Sequence, residues 1–162
     1  MDDDEFIANM MQEPATIWTS KGKPATLTLE NGEQFTGFSF GADVCGNGEV
    51  VFNTSMTGYP ETLTDPSYEG QMLVLTYPLI GNYGVPGKDR DEHGLLKYFE
   101  SERIHVTALI VSDYSEEYSH WNARHSLSSW LKESGIPAIT GVDTRKLTKI
   151  LREVKAEKHS GD

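Results

Sequence analysis

The sequence predicts a mixed α/β fold with β-barrel or sandwich character and its helices mainly in the C-terminal half. Three observations predict it. A hairpin signal, Asn31-Gly32, lies between two stretches of strand-like alternation. Two nearly continuous apolar runs follow at residues 72–77 and 104–111. Helical periodicity appears only after His125. Strands first and helices later, joined by hairpins, argue against a repeating βαβ sheet.

The elements follow in order. Residues 1–24 read as a flexible acidic tail: Asp2, Asp3, Asp4 and Glu5 open it, and Pro14, Gly22 and Pro24 interrupt what comes next. Its apolar residues Phe6, Ile7, Met10, Met11 and Ile17 are candidates for docking on a neighbour. Thr26-Leu27-Thr28-Leu29 alternates with period two, Glu30 to Glu33 makes the turn, and residues 34–40 run back. Residues 49–53 form a short third strand. The runs at 72–77 and 104–111 are the fourth and fifth, apolar enough to be covered on both faces. Residues 125–134 carry Leu127, Trp130 and Leu131 on one helical face, and Gly135 stands at the stop position. Residues 136–140 make a brief strand. Asp143 then caps a last helix over 144–158, where Leu147, Ile150, Leu151 and Val154 repeat at helical spacing.

Length and charge narrow the function. A chain of 162 residues buries roughly 68–70% of its unfolded surface and needs no disulfide staples. Its formal net charge is −11, which sets nucleic acid and anionic membranes aside, because both recruit clustered cations. One cysteine, Cys45, excludes an internal disulfide or a Cys-only metal site and fits a reducing compartment. The acidic opening is unlike a mitochondrial presequence, and no secretory apolar region is present, so the cytoplasm is the expected location.

No complete catalytic constellation emerges from the residues. Asp43 and Asn47 flank Cys45 where a nucleophile elbow needs small residues, and nearby acids disfavour a thiolate. Gly46-Asn47-Gly48 precedes a strand and lacks a lysine, so it reads as a turn and not a phosphate loop. His93, His105, His120, His125 and His159 show no ligand spacing, and no metal site is expected. Glu116 and Glu117 are adjacent and point apart.

The unusual chemistry sits in two loops. Residues 52–61, followed by Thr64-Asp65-Pro66-Ser67-Tyr68, crowd hydroxyls and amides behind a buried strand. Such residues either make turns or bind ligands, and the pattern leaves both open. Residues 77–86 hold Tyr77, Pro78, Ile80, Gly81, Asn82 and Tyr83. They form either a partner-facing apolar patch or a packed Ω-loop. They open a Gly- and Pro-rich segment, 78–94, long enough to suggest a function of its own.

These motifs resemble one family. Glu49-Val50-Val51-Phe52-Asn53-Thr54-Ser55-Met56-Thr57-Gly58-Tyr59-Pro60-Glu61, the Asp65-Pro66-Ser67-Tyr68 turn, Thr76-Tyr77-Pro78 with Ile80-Gly81-Asn82, and Val142-Asp143-Thr144-Arg145 with Leu147-Thr148 carry the resemblance. It is to the N-terminal domain of the small, glutamine-amidotransferase chain of carbamoyl-phosphate synthetase. The resemblance covers residues 25–153 and leaves 154–162 as a divergent tail. The spellings Tyr83-Gly84-Val85-Pro86 and Lys97-Tyr98-Phe99-Glu100-Ser101 are similar to the start of the eukaryotic multifunctional protein of pyrimidine synthesis.

The resemblance implies a swivelling β/β/α domain that packs against the synthetase portion, and the apolar loop residues Tyr77, Pro78, Ile80, Gly81, Asn82 and Tyr83 are the expected contact. It implies partners: a glutaminase domain with a Cys-His-Glu triad, and a synthetase chain that consumes bicarbonate with ATP and magnesium. No cofactor is expected in this chain itself. One substrate contact carries over, from Ser67 to glutamine, and ammonia-dependent relatives tend to have alanine there. The chain alone is expected to be inactive, with no catalytic residue of its own. Two rival readings stand beside pyrimidine synthesis: an arginine-pathway small chain, and a non-catalytic binding module that docks on a synthetase or another protein.

Overall fold

Buried and half-buried residues alternate without a break from Lys23 to Leu29, as they must in a strand whose one face looks into a core. The flanking strands on either side, Ile7–Gln12 and Gln34–Ser39, bury every second residue over most of their length, and with four further strands they close a seven-stranded barrel. The computed structural model describes residues 6–12, 23–53, 62–76, 79–80, 85–86, 103–115, 123–125 and 127–160. In chain order the elements are β1 (Ile7–Gln12), β2 (Lys23–Leu29), β3 (Gln34–Ser39), β4 (Gly46–Asn53), β5 (Gln71–Leu75), β6 (Leu79–Ile80), β7 (Val85–Pro86), β8 (Ala108–Val111), β9 (Tyr114–Ser115), β10 (Ala123–His125), α1 (Leu127–Ser134), β11 (Ala138–Thr140) and α2 (Thr144–Ser160).

The barrel runs β1-β2-β3-β11-β8-β5-β4 and closes through β4 onto β1. The first three strands form an antiparallel meander. Strands β4, β5, β8 and β11 pair in parallel. The mixed α/β class, the barrel and the late helices are as the sequence predicts.

Period two splits the parallel strands between two cores. Met72, Val74, Ala108, Ile110 and Ile139 join the inner cluster with Ala8, Met10, Leu27 and Val50. Leu73, Leu75, Leu109, Val111 and Ala138 join an outer cluster, covered by Leu127, Trp130 and Leu131 of α1 and by Leu63. Both faces are therefore dry, which explains the continuous apolar runs. Helix α2 packs Leu147 and Leu151 on the inner cluster. Its Lys146 lies 5.8 Å from the Phe35 ring centre and its Arg152 5.2 Å from that of Phe52, so it lies across the barrel end where those two rings sit.

The local stops and starts follow residue chemistry. Asp143 Oδ1 accepts the Lys146 N–H at 3.1 Å, capping α2. Gly135, at φ +72°, ends α1 with paired bonds from Gly135 N to Lys132 O (3.2 Å) and from Ile136 N to Leu131 O (2.9 Å). In the β2–β3 hairpin, Asn31 Oδ1 accepts the Glu33 N–H at 3.0 Å.

Several expectations need correction. The N-terminal stretch is not wholly a tail: β1 fills the gap between β2 and β4, with Phe6, Ala8 and Met10 buried. Its Ala, Asn and paired Met residues have little strand character of their own, and tertiary pairing decides. Gly46-Asn47-Gly48 is the start of β4 and not a turn. A Cβ on Gly48 would stand 2.6 Å from Gly70 O, so close backbone approach explains that glycine. Residues 104–107 are not strand, and β8 begins at Ala108. Residues 123–125 pair with β7, so α1 starts at Leu127. Helix α2 continues to Ser160, through most of the stretch read as a divergent tail.

Candidate functional site

The turn that carries Ser67 is built from its own sequence. Pro66 fixes φ at the first position of a single 3-10 turn, Pro66–Tyr68. Asp65 caps it, its Oδ1 accepting the Ser67 N–H at 3.0 Å. The Tyr68 N–H reaches Asp65 O at 3.1 Å, and the Glu69 N–H reaches Pro66 O at 3.1 Å. Thr62, Leu63 and Thr64 ahead of it are buried. Ser67 itself is exposed, and its hydroxyl has no partner among the described residues. A free hydroxyl can both donate and accept.

Longer bonds tie this turn to the barrel. Asn53, on the outward parity of β4 with Val51, donates through Nδ2 to Tyr68 Oη at 3.0 Å. The Thr76 hydroxyl in turn donates to Asn53 O at 3.3 Å. On the other flank Glu69 Oε2 lies 2.6 Å from His105 Nδ1 and 3.1 Å from Arg103 Nη2. These two bonds, that of His105 first, hold the Glu69 carboxyl below its ordinary range. The His105 N–H also bonds Leu63 O at 2.9 Å.

The remaining sequence candidates fall as follows. Tyr77, Pro78, Gly81, Asn82 and Tyr83 lie outside the described residues, as do Thr54 to Glu61. Ile80 is placed by its backbone in β6, which pairs with β9. Cys45 is exposed. His105, read from sequence as structural or solvated, is a hydrogen-bond partner of Glu69. Sequence reasoning did not find the Asn53–Tyr68 bond; the one available signal was that both residues belong to the two hydroxyl-rich stretches. Nor did it find a cavity of about 180 Å³ lined by Lys23, Ser39, Gly41, Asp43 and Lys132, where the buried Lys23 ammonium is paired with Asp43.

Comparison with known proteins agrees with the motifs. The family model described as carbamoyl-phosphate synthase small chain, CPSase domain, matches residues 27–160, which extends the likeness through the stretch read as divergent. The carbamoyl phosphate synthase arginine-specific small chain of Saccharomyces cerevisiae is 57% identical over 136 residues, covering 83% of this chain and 33% of that protein. Its namesake in Neurospora crassa is 54% identical over 142 residues, 88% of this chain and 31% of the relative. That of Aspergillus niger is 54% identical over 149 residues, 91% and 32%. This chain thus spans about a third of the length of these curated relatives. With the family model matched from the second strand of the barrel to the end of its last helix, this chain belongs to the carbamoyl-phosphate synthase small chain family.

Proposed function

We propose that these residues form the N-terminal docking domain of a glutamine-hydrolysing carbamoyl-phosphate synthetase and supply one wall of its glutamine pocket. The observation that carries the reading is the exposed Ser67 hydroxyl, without a hydrogen-bond partner among the described residues, on a turn held by the bonds of Asp65, Tyr68 and Glu69. Glutamine presents an ammonium and a carboxylate at one end, and a hydroxyl that donates and accepts suits either. The groups that cleave the amide lie outside residues 1–162: the only cysteine is Cys45, with acids Asp43 and Glu49 close in sequence, a poor setting for a thiolate. A glutaminase domain provides that chemistry, and a synthetase partner uses ATP and magnesium. Residues 77–83 are the proposed contact with that partner. The single exposed cysteine suits a reducing compartment such as the cytoplasm.

The relatives' names specify the arginine-specific enzyme, which favours the arginine branch over pyrimidine synthesis. Deleting the gene and scoring growth without arginine or without uracil separates the two.

The site is tested by Ser67→Ala in the assembled enzyme. The expected result is a higher KM for glutamine, by about 10-fold for the loss of a hydrogen bond to a charged group, with ammonia-driven synthesis intact. An unchanged KM removes Ser67 from the pocket.

A further inference from the structure

We propose that Tyr68 and Glu69 are positioning residues that hold the Ser67 hydroxyl at its place on the barrel. The inference rests on the glutamine-pocket reading of Ser67. Two sets of bonds act on the turn, and they do different things. The bonds within residues 62–69 (Asp65 to Ser67, Asp65 to Tyr68, Pro66 to Glu69) fix its shape. They would survive if the whole turn shifted over the outer face of the sheet.

Its position depends on contacts with other elements. Tyr68 and Glu69, the two residues directly after Ser67, make side-chain contacts in different directions. Tyr68 Oη accepts from Asn53 at the end of β4, 15 residues back in sequence. The Glu69 carboxylate bridges Arg103 and His105, the latter 36 residues on, in the segment that enters β8. Ser67 is thereby braced against two elements of the barrel wall. The Tyr68 ring also packs on the outer core, so its phenol is anchored at both ring and hydroxyl. A pocket that must meet a small amino acid from one side needs such bracing, because a shift of the order of 1 Å in a contact group is enough to weaken binding or rate substantially.

The test uses the whole small chain assembled with its synthetase. Tyr68→Phe keeps the ring and removes the bond to Asn53. Glu69→Gln keeps the shape and removes the charge that faces Arg103 and His105. Each is measured for glutamine-dependent and ammonia-dependent synthesis beside Ser67→Ala. The expected result is a KM for glutamine raised about 2- to 10-fold in each, as for one lost hydrogen bond. At saturating glutamine kcat stays within about twofold, and ammonia-dependent rates are unchanged. If Ser67→Ala raises KM and both flanking variants leave it unchanged, the positioning role is overturned while the pocket reading stands. If Ser67→Ala has no effect, the pocket reading itself fails. If ammonia-dependent rates fall together with the glutamine rates, the two residues serve only the fold, and the proposal is overturned.

Discussion

Glu69 Oε2 and His105 Nδ1 stand 2.6 Å apart across 36 residues of sequence, joining the turn before β5 to the segment before β8. The contact has a consequence for acid stability. Together with Arg103 it holds the Glu69 carboxyl below the ordinary carboxylate range. A depressed carboxylate stabilises the folded chain above its unfolded pKa, and that contribution is lost as pH falls through the lowered folded value. Glu69→Gln should therefore lower the urea midpoint at neutral pH, by an amount that shrinks as the solution is acidified toward the lowered folded value. Urea titrations at neutral and at acid pH check this. An equal gap at the two pH values would mean that packing, and not charge, is what the substitution disturbs.

Neighbouring methionines on β1 should behave oppositely. Met10 is fully buried and Met11 is 52% exposed, because adjacent residues of a strand face opposite sides. Met10→Ala is expected to cost about 2–5 kcal/mol, the range for emptying a core position. Met11→Ala should fall within about 0.5 kcal/mol of the parent. Denaturant unfolding of the two variants measures both. Similar effects would show that β1 does not close the barrel in this register.

That strand also marks what the sequence could and could not disclose. The hairpin at Asn31-Gly32, the apolar run that becomes β5 and the helical spacing of Leu147 and Leu151 are local signals, and each stands where local chemistry puts it, whereas only the second half of the run at 104–111 is strand. Strand β1 has no such signal. Ala8, Asn9 and Met10 become strand because β2 and β4 both offer them free backbone edges, a fact of tertiary topology. The site divides in the same way. Asp65-Pro66-Ser67 announces a capped turn through its own residue types, whereas the bonds of Tyr68 and Glu69 link residues distant in sequence, beyond the reach of spacing arguments.

Helix α2 should depend on its cap and on one apolar stripe. Asp143→Ala removes the acceptor for the Lys146 N–H and is expected to cost about 1 kcal/mol. Leu151→Ala empties a position buried in the inner core and should cost about 2–5 kcal/mol. Exposed Lys149 provides the comparison, and its replacement by alanine should be nearly neutral. Thermal unfolding of the three variants gives the ranking. A Lys149 effect as large as that of Leu151 would contradict the orientation of the helix on the barrel.

Gly37 is where the antiparallel and parallel halves of the barrel meet. It lies on β3 next to Phe38, whose partner on β11 is Thr140. A Cβ at residue 37 would stand 2.2 Å from Thr140 O and 2.9 Å from Ile139 Cγ1. The first contact is with backbone, which cannot step aside as a side-chain end can, so relief requires β3 and β11 to part. Parting them opens the barrel, since β11 alone joins the meander to the parallel strands on that side. Gly37→Ala should therefore destabilise by about 1–3 kcal/mol, the usual range for overpacking. Exposed Gly32 is the control: it has open space around it but φ +92°, so alanine there acts through backbone strain alone. Hydrogen exchange separates the two mechanisms. Gly37→Ala should speed exchange of the amides that pair β3 with β11, whereas Gly32→Ala should act at the hairpin tip. If exchange along β3 and β11 is unaltered in Gly37→Ala, the close approach does not set the closure of the barrel.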